Sequence, residues 1–390
     1  VVKPFNFAKL PLIYFGSGKI SGLPGIISNF GKSMLLVTGA RSFADSPAAA
    51  SLSGEMKSRG VDIHRVVVDR EPSPELIDDT VRRFSGRDID VVVSIGGGSV
   101  IDAGKAISAM LGKSGSVMEY LEVVGNKEHP GTKVPFIAVP TTSGTGSEAT
   151  KNAVISRVAK KGFKRSLRHD NLVPDIAIVD PELTLSCPPE ITAAAGMDCF
   201  TQLTESYLST KANAYTDALA LQGIRSVNRS LIRSFTHGGD IDARSDMSFA
   251  ALTSGICLAN AGLGAVHGLA GTIGAMFNIP HGAVCGTLMA VANRVNVREL
   301  RRTGNGDAAL KKYAALGRIF SDTSGKKDDY HIDFFIDYLT AATYQLHLAE
   351  LSRFGLIHDD LQVICSQSDV KNNPAELSAG ILSEILARRL

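Results

Sequence analysis

The chain has 390 residues, long for one domain and comfortable for two, each able to bury its own core. Its 41 Lys and Arg against 39 Asp and Glu leave a net charge of +2, which argues against a nucleic-acid or membrane-surface partner. Five scattered cysteines (Cys187, Cys199, Cys257, Cys285, Cys365) without a Cys-x-x-Cys pair, no basic-then-apolar leader and no bilayer-length apolar run give the expectation of a cytoplasmic protein with reduced thiols.

Taken in chain order, Leu12 to Gly18 reads as a strand ending in a turn, Ile20 to Asn29 as a short helix and Met34 to Thr38 as a buried strand before Gly39-Ala40-Arg41-Ser42. Ala48 to Arg59 is predicted helical, Val61 to Val68 a strand, Glu75 to Phe84 a helix, Val91 to Ile95 a strand and Val100 to Leu111 a helix. Phe136 to Val139, Ala153 to Ser156 and Ile176 to Val179 add strands. This alternation predicts an α/β domain with a doubly wound, mainly parallel sheet.

The run Val91-Val92-Val93-Ser94-Ile95 is short and β-branched, as a strand buried on both faces should be. It breaks into Gly96-Gly97-Gly98-Ser99 and resumes as a helix. Three glycines let the backbone approach a phosphate without a Cβ in the way, and the N–H groups of the next helix point at the same place. The formal Gly-x-Gly-x-x-Gly fingerprint fails, because Ile101 stands where its last glycine belongs. A second apolar run, Phe136 to Val139, ends in Thr141-Thr142-Ser143-Gly144-Thr145-Gly146-Ser147, a loop of hydroxyls and free N–H groups suited to ribose and phosphate oxygens. Two such loops, each directly after a buried strand, favour a ligand, since ligands of open α/β sheets collect at the carboxyl ends of strands.

After Asp180-Pro181-Glu182-Leu183 and Cys187-Pro188-Pro189 the β-branched runs thin out. Long Ala/Leu-rich segments follow: Pro189 to Leu208, Ala214 to Phe235, Arg244 to Ala261, Ala265 to Phe277, Val284 to Glu299, Ala308 to Phe320, Ile332 to Leu346 and Ala375 to Leu390. Residues 1–187 are therefore expected to form the nucleotide domain and residues 188–390 an all-helical domain, with Ser321 to Tyr330 a solvated loop. On the first of these helices Asp198, Gln202 and Glu205 share a face. His267 and His281 flank a later helix and turn among small and apolar neighbours. A carboxylate with two imidazoles suits Zn²⁺ or Fe²⁺ and leaves room for a substrate oxygen.

The turn at Gly96 to Ser99, the segment Thr141 to Glu148, Asp180 to Leu183, Gly196-Met197-Asp198, His267-Gly268-Leu269 and Pro280-His281-Gly282 occur in an order that resembles the iron-containing (group III) alcohol dehydrogenase family, with maleylacetate reductases as near relatives. The resemblance implies a dehydroquinate synthase-like architecture, a cleft between the domains that holds a metal, a homodimer, and interconversion of an alcohol with an aldehyde or ketone by hydride transfer. Three metal ligands map to Asp198, His267 and His281, which also carry the chemistry; the fourth, normally histidine, is Gln202 here. Many members carry a second histidine where this chain has Gly271, so a proton would travel through a cofactor ribose hydroxyl or ordered water. The likeness assigns Gly97, Gly98 and Ser99 to the cofactor diphosphate and Asp102 to support of that turn or of the nicotinamide end. It assigns Thr141, Thr142, Thr145, Ser147 and Leu183 to the adenosine and ribose side, and Lys164 to a cofactor oxygen. NAD-preferring relatives often have Asp at the position of Gly39; Gly39 with Arg41 and Ser42 suits a 2′-phosphate, favouring NADP(H) over NAD(H). The expected substrate is a small alcohol, aldehyde or keto acid. Rival readings are a metal-free reductase of the maleylacetate type, a dehydroquinate synthase-like lyase and a non-catalytic nucleotide-binding protein.

Overall fold

The computed structural model describes every residue except Val1, Lys3, Arg41, Ser42, Ala44, Asn305 and Asp322. In chain order the strands are β1 (Leu12–Phe15), β2 (Ser33–Gly39), β3 (Asp62–Val68), β4 (Val91–Gly96), β5 (Phe136–Pro140), β6 (Asn152–Arg157), β7 (Phe163–Arg168) and β8 (Ile176–Val179). Six of them form one sheet in the order β1-β8-β5-β4-β2-β3, parallel at every pairing.

Every residue of β4 is buried, and its side chains alternate between two cores. Val92 packs with Leu35, Val37, Phe136 and the apolar face of helix α4 (Gly98–Met110). Val91, Val93 and Ile95 pack on the other side with Leu23 and Met56, from helices α1 (Leu23–Ser28) and α2 (Pro47–Ser58). Covering both faces in this way is what requires the uninterrupted Val/Ile run. The chain winds one way from β2 to β3, then returns past β2 through α3 (Pro74–Arg83) to place β4 on its other side. The strand order therefore reverses between β2 and β4, and Gly39 and Gly96 end the two strands that border the resulting crevice.

One expectation needs correction: β6 does not extend this sheet. It pairs antiparallel with β7 as a separate two-stranded ribbon that lies against α4. The buried Lys105 ammonium on α4 draws the start of β6 inward by donating to the Asn152 carbonyl at 2.8 Å, which turns the strand away from the sheet edge.

Beyond Pro189 the described residues form α-helices and 3-10 turns only: α5 (Pro189–Leu208), α6 (Ala214–Thr236), α7 (Ile241–Ala261), α8 (Ala265–Met276), α9 (His281–Thr303), α10 (Asp307–Phe320), α11 (Asp328–Gln345), α12 (Leu361–Gln367) and α13 (Ala379–Ala387). The expected loop at Ser321 to Tyr330 ends early, because Asp328 already opens α11. Helix α5 is the axis of this half, buried along most of its length and packed against α6, α7 and α9. Glycines set the closest approach: a Cβ on Gly282 would lie 2.2 Å from the Ala194 carbonyl oxygen, and one on Gly286 would lie 2.9 Å from the Met197 Cβ. Helix α9 is thereby pressed onto the turn of α5 that carries Asp198. Among the described residues no single helix is long and apolar enough to cross a membrane.

Candidate active site

Gly97 caps α4, whose first residue is Gly98, so the helix N-terminus opens at the carboxyl end of β4. Thr141 N–H donates to the Gly96 carbonyl at 3.0 Å, and a Cβ on Gly98 would stand 2.7 Å from Thr145 Cγ2 and Oγ1. The glycine turn and the hydroxyl loop are thus packed to contact. Lys105 fastens the arrangement from behind, donating to the carbonyls of Ser147 at 2.8 Å and Thr150 at 3.0 Å. Burial pushes Lys105 down to about 8 and Glu148 up to about 7, each against the pull of the other's charge. Asp102 accepts from Val154 N–H at 3.1 Å through one oxygen; its other oxygen is buried without a hydrogen bond, 3.9 Å from the Lys105 ammonium, and Asp102 lines the same cavity as Ser99.

The second cluster is built from α5, α8 and α9. Asp198 Oδ1 is 3.1 Å from His267 Nε2 and 3.8 Å from His281 Nε2. Cys285, one turn after His281, brings Sγ to 3.6 Å from each of those nitrogens. One donor atom from each of these four residues lies within 4.8 Å of every other. Behind them Glu205 accepts from Val266 N–H at 2.7 Å and holds His267 Nδ1 at 2.7 Å, which directs the Nε2 atom inward. Burial pushes His281 down to about 4, so its ring is neutral at neutral pH. Burial also opposes charge on His267, but Cys285, Asp198 and Glu205 outweigh it and raise this imidazole well above its usual range. Two imidazoles, a carboxylate and an outer carboxylate that fixes the ring form a donor set that fits a divalent metal.

Gln202 joins the same cluster through its carboxamide nitrogen. Its carboxamide oxygen accepts from Ser254 Oγ at 2.8 Å, and its nitrogen, 3.3 Å from Asp198 Oδ1, is the atom turned to the carboxylate. Cys285 is the member that sequence reasoning did not single out; Glu205 was placed on the face of Asp198 and Gln202 without a role. The His281-x-x-x-Cys285 spacing, one helical turn, was the available signal for the thiol.

A cavity of about 350 Å³ joins the two clusters. Gly98, Ser99, Asp102, Thr145, Ser147, Lys164, Gln202, His267, His281 and Gly271 all line it, and space is open at Gly271, where an added Cβ would meet nothing within 4 Å. Lys164 is ion-paired with Glu71, a further lining residue whose carboxylate also accepts from Ser156 Oγ at 2.6 Å. Gly97, Thr141 and Thr142 follow the ends of β4 and β5; Gly39 ends β2, and Leu183 lies in the 3-10 turn after β8. These stand along the carboxyl edge of the sheet and are not among the residues that line the cavity. Arg41 and Ser42 lie outside the described residues.

Residues 11–181 match the model of the iron-containing alcohol dehydrogenase domain, and residues 192–388 match that of the C-terminal domain of the Fe-containing alcohol dehydrogenase family. The chain belongs to the iron-containing alcohol dehydrogenase family. Within that family it is 35% identical over 274 residues to Long-chain-alcohol dehydrogenase 1 of Geobacillus thermodenitrificans, covering 70% of this chain and 68% of the relative. It is 29% identical over 346 residues to the NADPH-dependent butanol dehydrogenase of Clostridium saccharobutylicum, covering 88% of this chain and 85% of that one. A crystal structure described as 1,3-propanediol oxidoreductase superposes with a TM-score of 0.88 at 26% identity, over the whole of both chains. The family's two halves thus meet at the cavity that joins the glycine turn to the carboxylate and imidazole cluster.

Proposed function

We propose that this chain is an NAD(P)-dependent dehydrogenase that interconverts a small alcohol with its aldehyde or ketone, its substrate oxygen polarised by a divalent metal held at Asp198, His267 and His281. The observation that carries this reading is the shared cavity, lined both by the helix N-terminus suited to a diphosphate and by His267 and His281 of the metal-competent donor set. When bound, the metal supplies Lewis acidity to the substrate oxygen and the nicotinamide gives or takes the hydride.

The protein's own part is positional. Backbone N–H groups of the Gly97, Gly98 and Ser99 turn hold the diphosphate, and Thr145 and Ser147 meet the cofactor beside it. Thr141, Thr142 and Leu183 support the adenosine side, Asp102 braces the turn, and Lys164, steadied by Glu71, reaches a cofactor oxygen. Glu205 keeps the His267 proton on Nδ1, leaving Nε2 free to coordinate. NADP(H) is favoured over NAD(H), because β2 ends in Gly39 and offers no carboxylate to repel a 2′-phosphate. The division into residues 1–187 and 188–390 belongs to the same reading, as does a homodimer. The latter draws support from edge strand β1, where Leu12 is 57% exposed and Tyr14 37%. A cytoplasmic location fits the five free thiols.

The test is NADPH oxidation with a panel of aldehydes and keto acids, on protein stripped by chelator and resupplied anaerobically with Zn²⁺ or Fe²⁺. Turnover lost on stripping and regained with one metal is expected. Undiminished turnover after verified stripping refutes the metal-centred reading, and equal kcat/KM for the two cofactors refutes the NADP preference.

A further inference from the structure

We propose that Cys285, rather than Gln202, supplies the fourth protein donor of the metal centre, making it an Asp-His-His-Cys site bound through sulfur. The inference rests on the metal-dependent reading above.

Ideal metal lengths of about 2.3 Å to sulfur and about 2.05 Å to nitrogen or oxygen place neighbouring tetrahedral donors ~3.5 Å apart for S with N and ~3.3 Å apart for N with O. The Cys285 sulfur lies 3.6 Å from both His267 Nε2 and His281 Nε2, so both sulfur–nitrogen edges already have tetrahedral length. The two edges from Asp198 Oδ1 to those nitrogens, 3.1 and 3.8 Å, bracket the ideal for oxygen and nitrogen. These four edges are those of a tetrahedral site, and the four donor atoms all lie within 4.8 Å of one another.

Local structure explains why the thiol arrives there. Pro280 caps α9 and His281 is its first residue, so His281 and Cys285 sit one above the other on the same face. Gly282 and Gly286, each one residue further along, form the adjacent strip that allows α9 to press against α5 at Ala194 and Met197. The contact that brings the sulfur to Asp198 therefore needs glycine at both places.

Gln202 is held away from the role. Its oxygen is engaged by Ser254 Oγ at 2.8 Å, and rotating the carboxamide would set oxygen against the Asp198 carboxylate, now 3.3 Å from the nitrogen. In its observed setting Gln202 instead donates to Asp198 and helps to fix which carboxylate oxygen faces the histidines. As the metal–sulfur bond forms, the thiol proton passes to solvent and the thiolate stays on the metal. A thiolate favours Zn²⁺ or Co²⁺ over harder cations.

The deciding experiment uses the full chain, stripped by chelator and titrated with Co²⁺ alone. Wild-type protein is expected to bind one Co²⁺ per chain with a sulfur-to-cobalt charge-transfer band in the near ultraviolet. Cys285→Ala is expected to lose that band, and to lose more Zn²⁺ affinity in chelator competition than the ~10–100-fold typical of an outer-shell change. Gln202→Ala is expected to keep the band. Stoichiometric Co²⁺ without a sulfur band in the wild type overturns the thiolate assignment and leaves the metal reading standing. Persistence of the band in Cys285→Ala overturns it equally, and no Co²⁺ binding by the wild type overturns both. The wild-type spectrum decides the matter even where a variant fails to fold.

Discussion

Replacing Glu205 by Gln preserves shape and removes one acceptor, and the geometry leaves the amide no good setting. One carboxylate oxygen of Glu205 accepts from Val266 N–H at 2.7 Å, and the other holds His267 Nδ1 at 2.7 Å. If the Gln oxygen faces Nδ1–H, its NH₂ meets the Val266 N–H donor against donor. If the amide is reversed, its NH₂ needs a lone pair on Nδ1, and the ring proton must move to Nε2, the atom that faces Asp198 at 3.1 Å. The first setting leaves a buried N–H unpaired; the second blocks the coordinating nitrogen. An unpaired buried donor costs about 1–3 kcal/mol, which at ~1.4 kcal/mol per decade is roughly one to two orders of magnitude. Zn²⁺ affinity measured by competition with a chromophoric chelator should therefore fall ~10–100-fold in Glu205→Gln, in line with other outer-shell carboxylates. Affinity within twofold of wild type would show that Glu205 does not fix the tautomer, and the argument for a directed Nε2 would fail.

Three further outcomes follow from the cofactor half. Gly98→Ala places a methyl 2.7 Å from a β-branched Thr145 whose hydroxyl is tied to Ser147, so the turn must shift; KM for NADPH should rise about tenfold or more, and an unchanged KM refutes the packing argument. Lys105→Met leaves the Ser147, Thr150 and Asn152 carbonyls without their buried donor, at about 1–3 kcal/mol each, so urea unfolding should report a loss of at least ~3 kcal/mol. A loss under ~1 kcal/mol would mean water replaces the ammonium. Burial raises Glu148 to about 7 from 4.5, so between those values the folded chain holds a proton that the unfolded chain has released. Its contribution to stability is full below pH ~4.5 and lost as pH climbs through ~7, an effect of at most about 3 kcal/mol. Glu148→Gln should flatten that part of the wild-type stability profile; the same slope in both proteins would place the titration elsewhere.

How far the sequence was legible depended on whether a signal was local. The all-buried Val/Ile run of β4 and its glycine turn could be read because both faces of the strand are covered, and α5 could be read to the residue because Pro188 and Pro189 mark its start. β7 was hidden by its charges: Lys164, Arg165 and Arg168 interrupt the apolar pattern, while Ser166 and Leu167 are the buried residues of the strand. β6 showed its β-branched character but not its partner, which depended on a buried lysine from a distant helix. Short α12 lacked enough turns to display a period. For Cys285 the loss came from a helix boundary. Starting α9 at Val284 leaves His281 in a turn, where its one-turn relation to the thiol does not exist; the helix begins at His281 because Pro280 supplies a cap with its φ already fixed at −56°. Asp198 and the two histidines were legible as chemistry, but which atoms face one another could be known only once α5, α8 and α9 were packed.

That packing makes helix capping and site geometry one property. Helix α8 opens at Gly264 without a side-chain cap of its own, and its first amides, Val266 at 2.7 Å and His267 at 3.4 Å, are satisfied by Glu205 from α5. The same carboxylate, favoured at a helix N-terminus by the axial dipole, orients the His267 ring. Space for it exists because Gly264 lacks a side chain: a Cβ there would lie 3.1 Å from Glu205 Oε1 and 2.8 Å from Asn373 Oδ1, which itself accepts from Ala265 N–H at 3.2 Å. Any change that moves α8 relative to α5 must therefore break the cap and turn the imidazole together. A donor set held in this way resists small displacements, because the imidazole can leave its orientation only by exposing buried amides of α8, and each exposed amide carries a cost of about 1–3 kcal/mol.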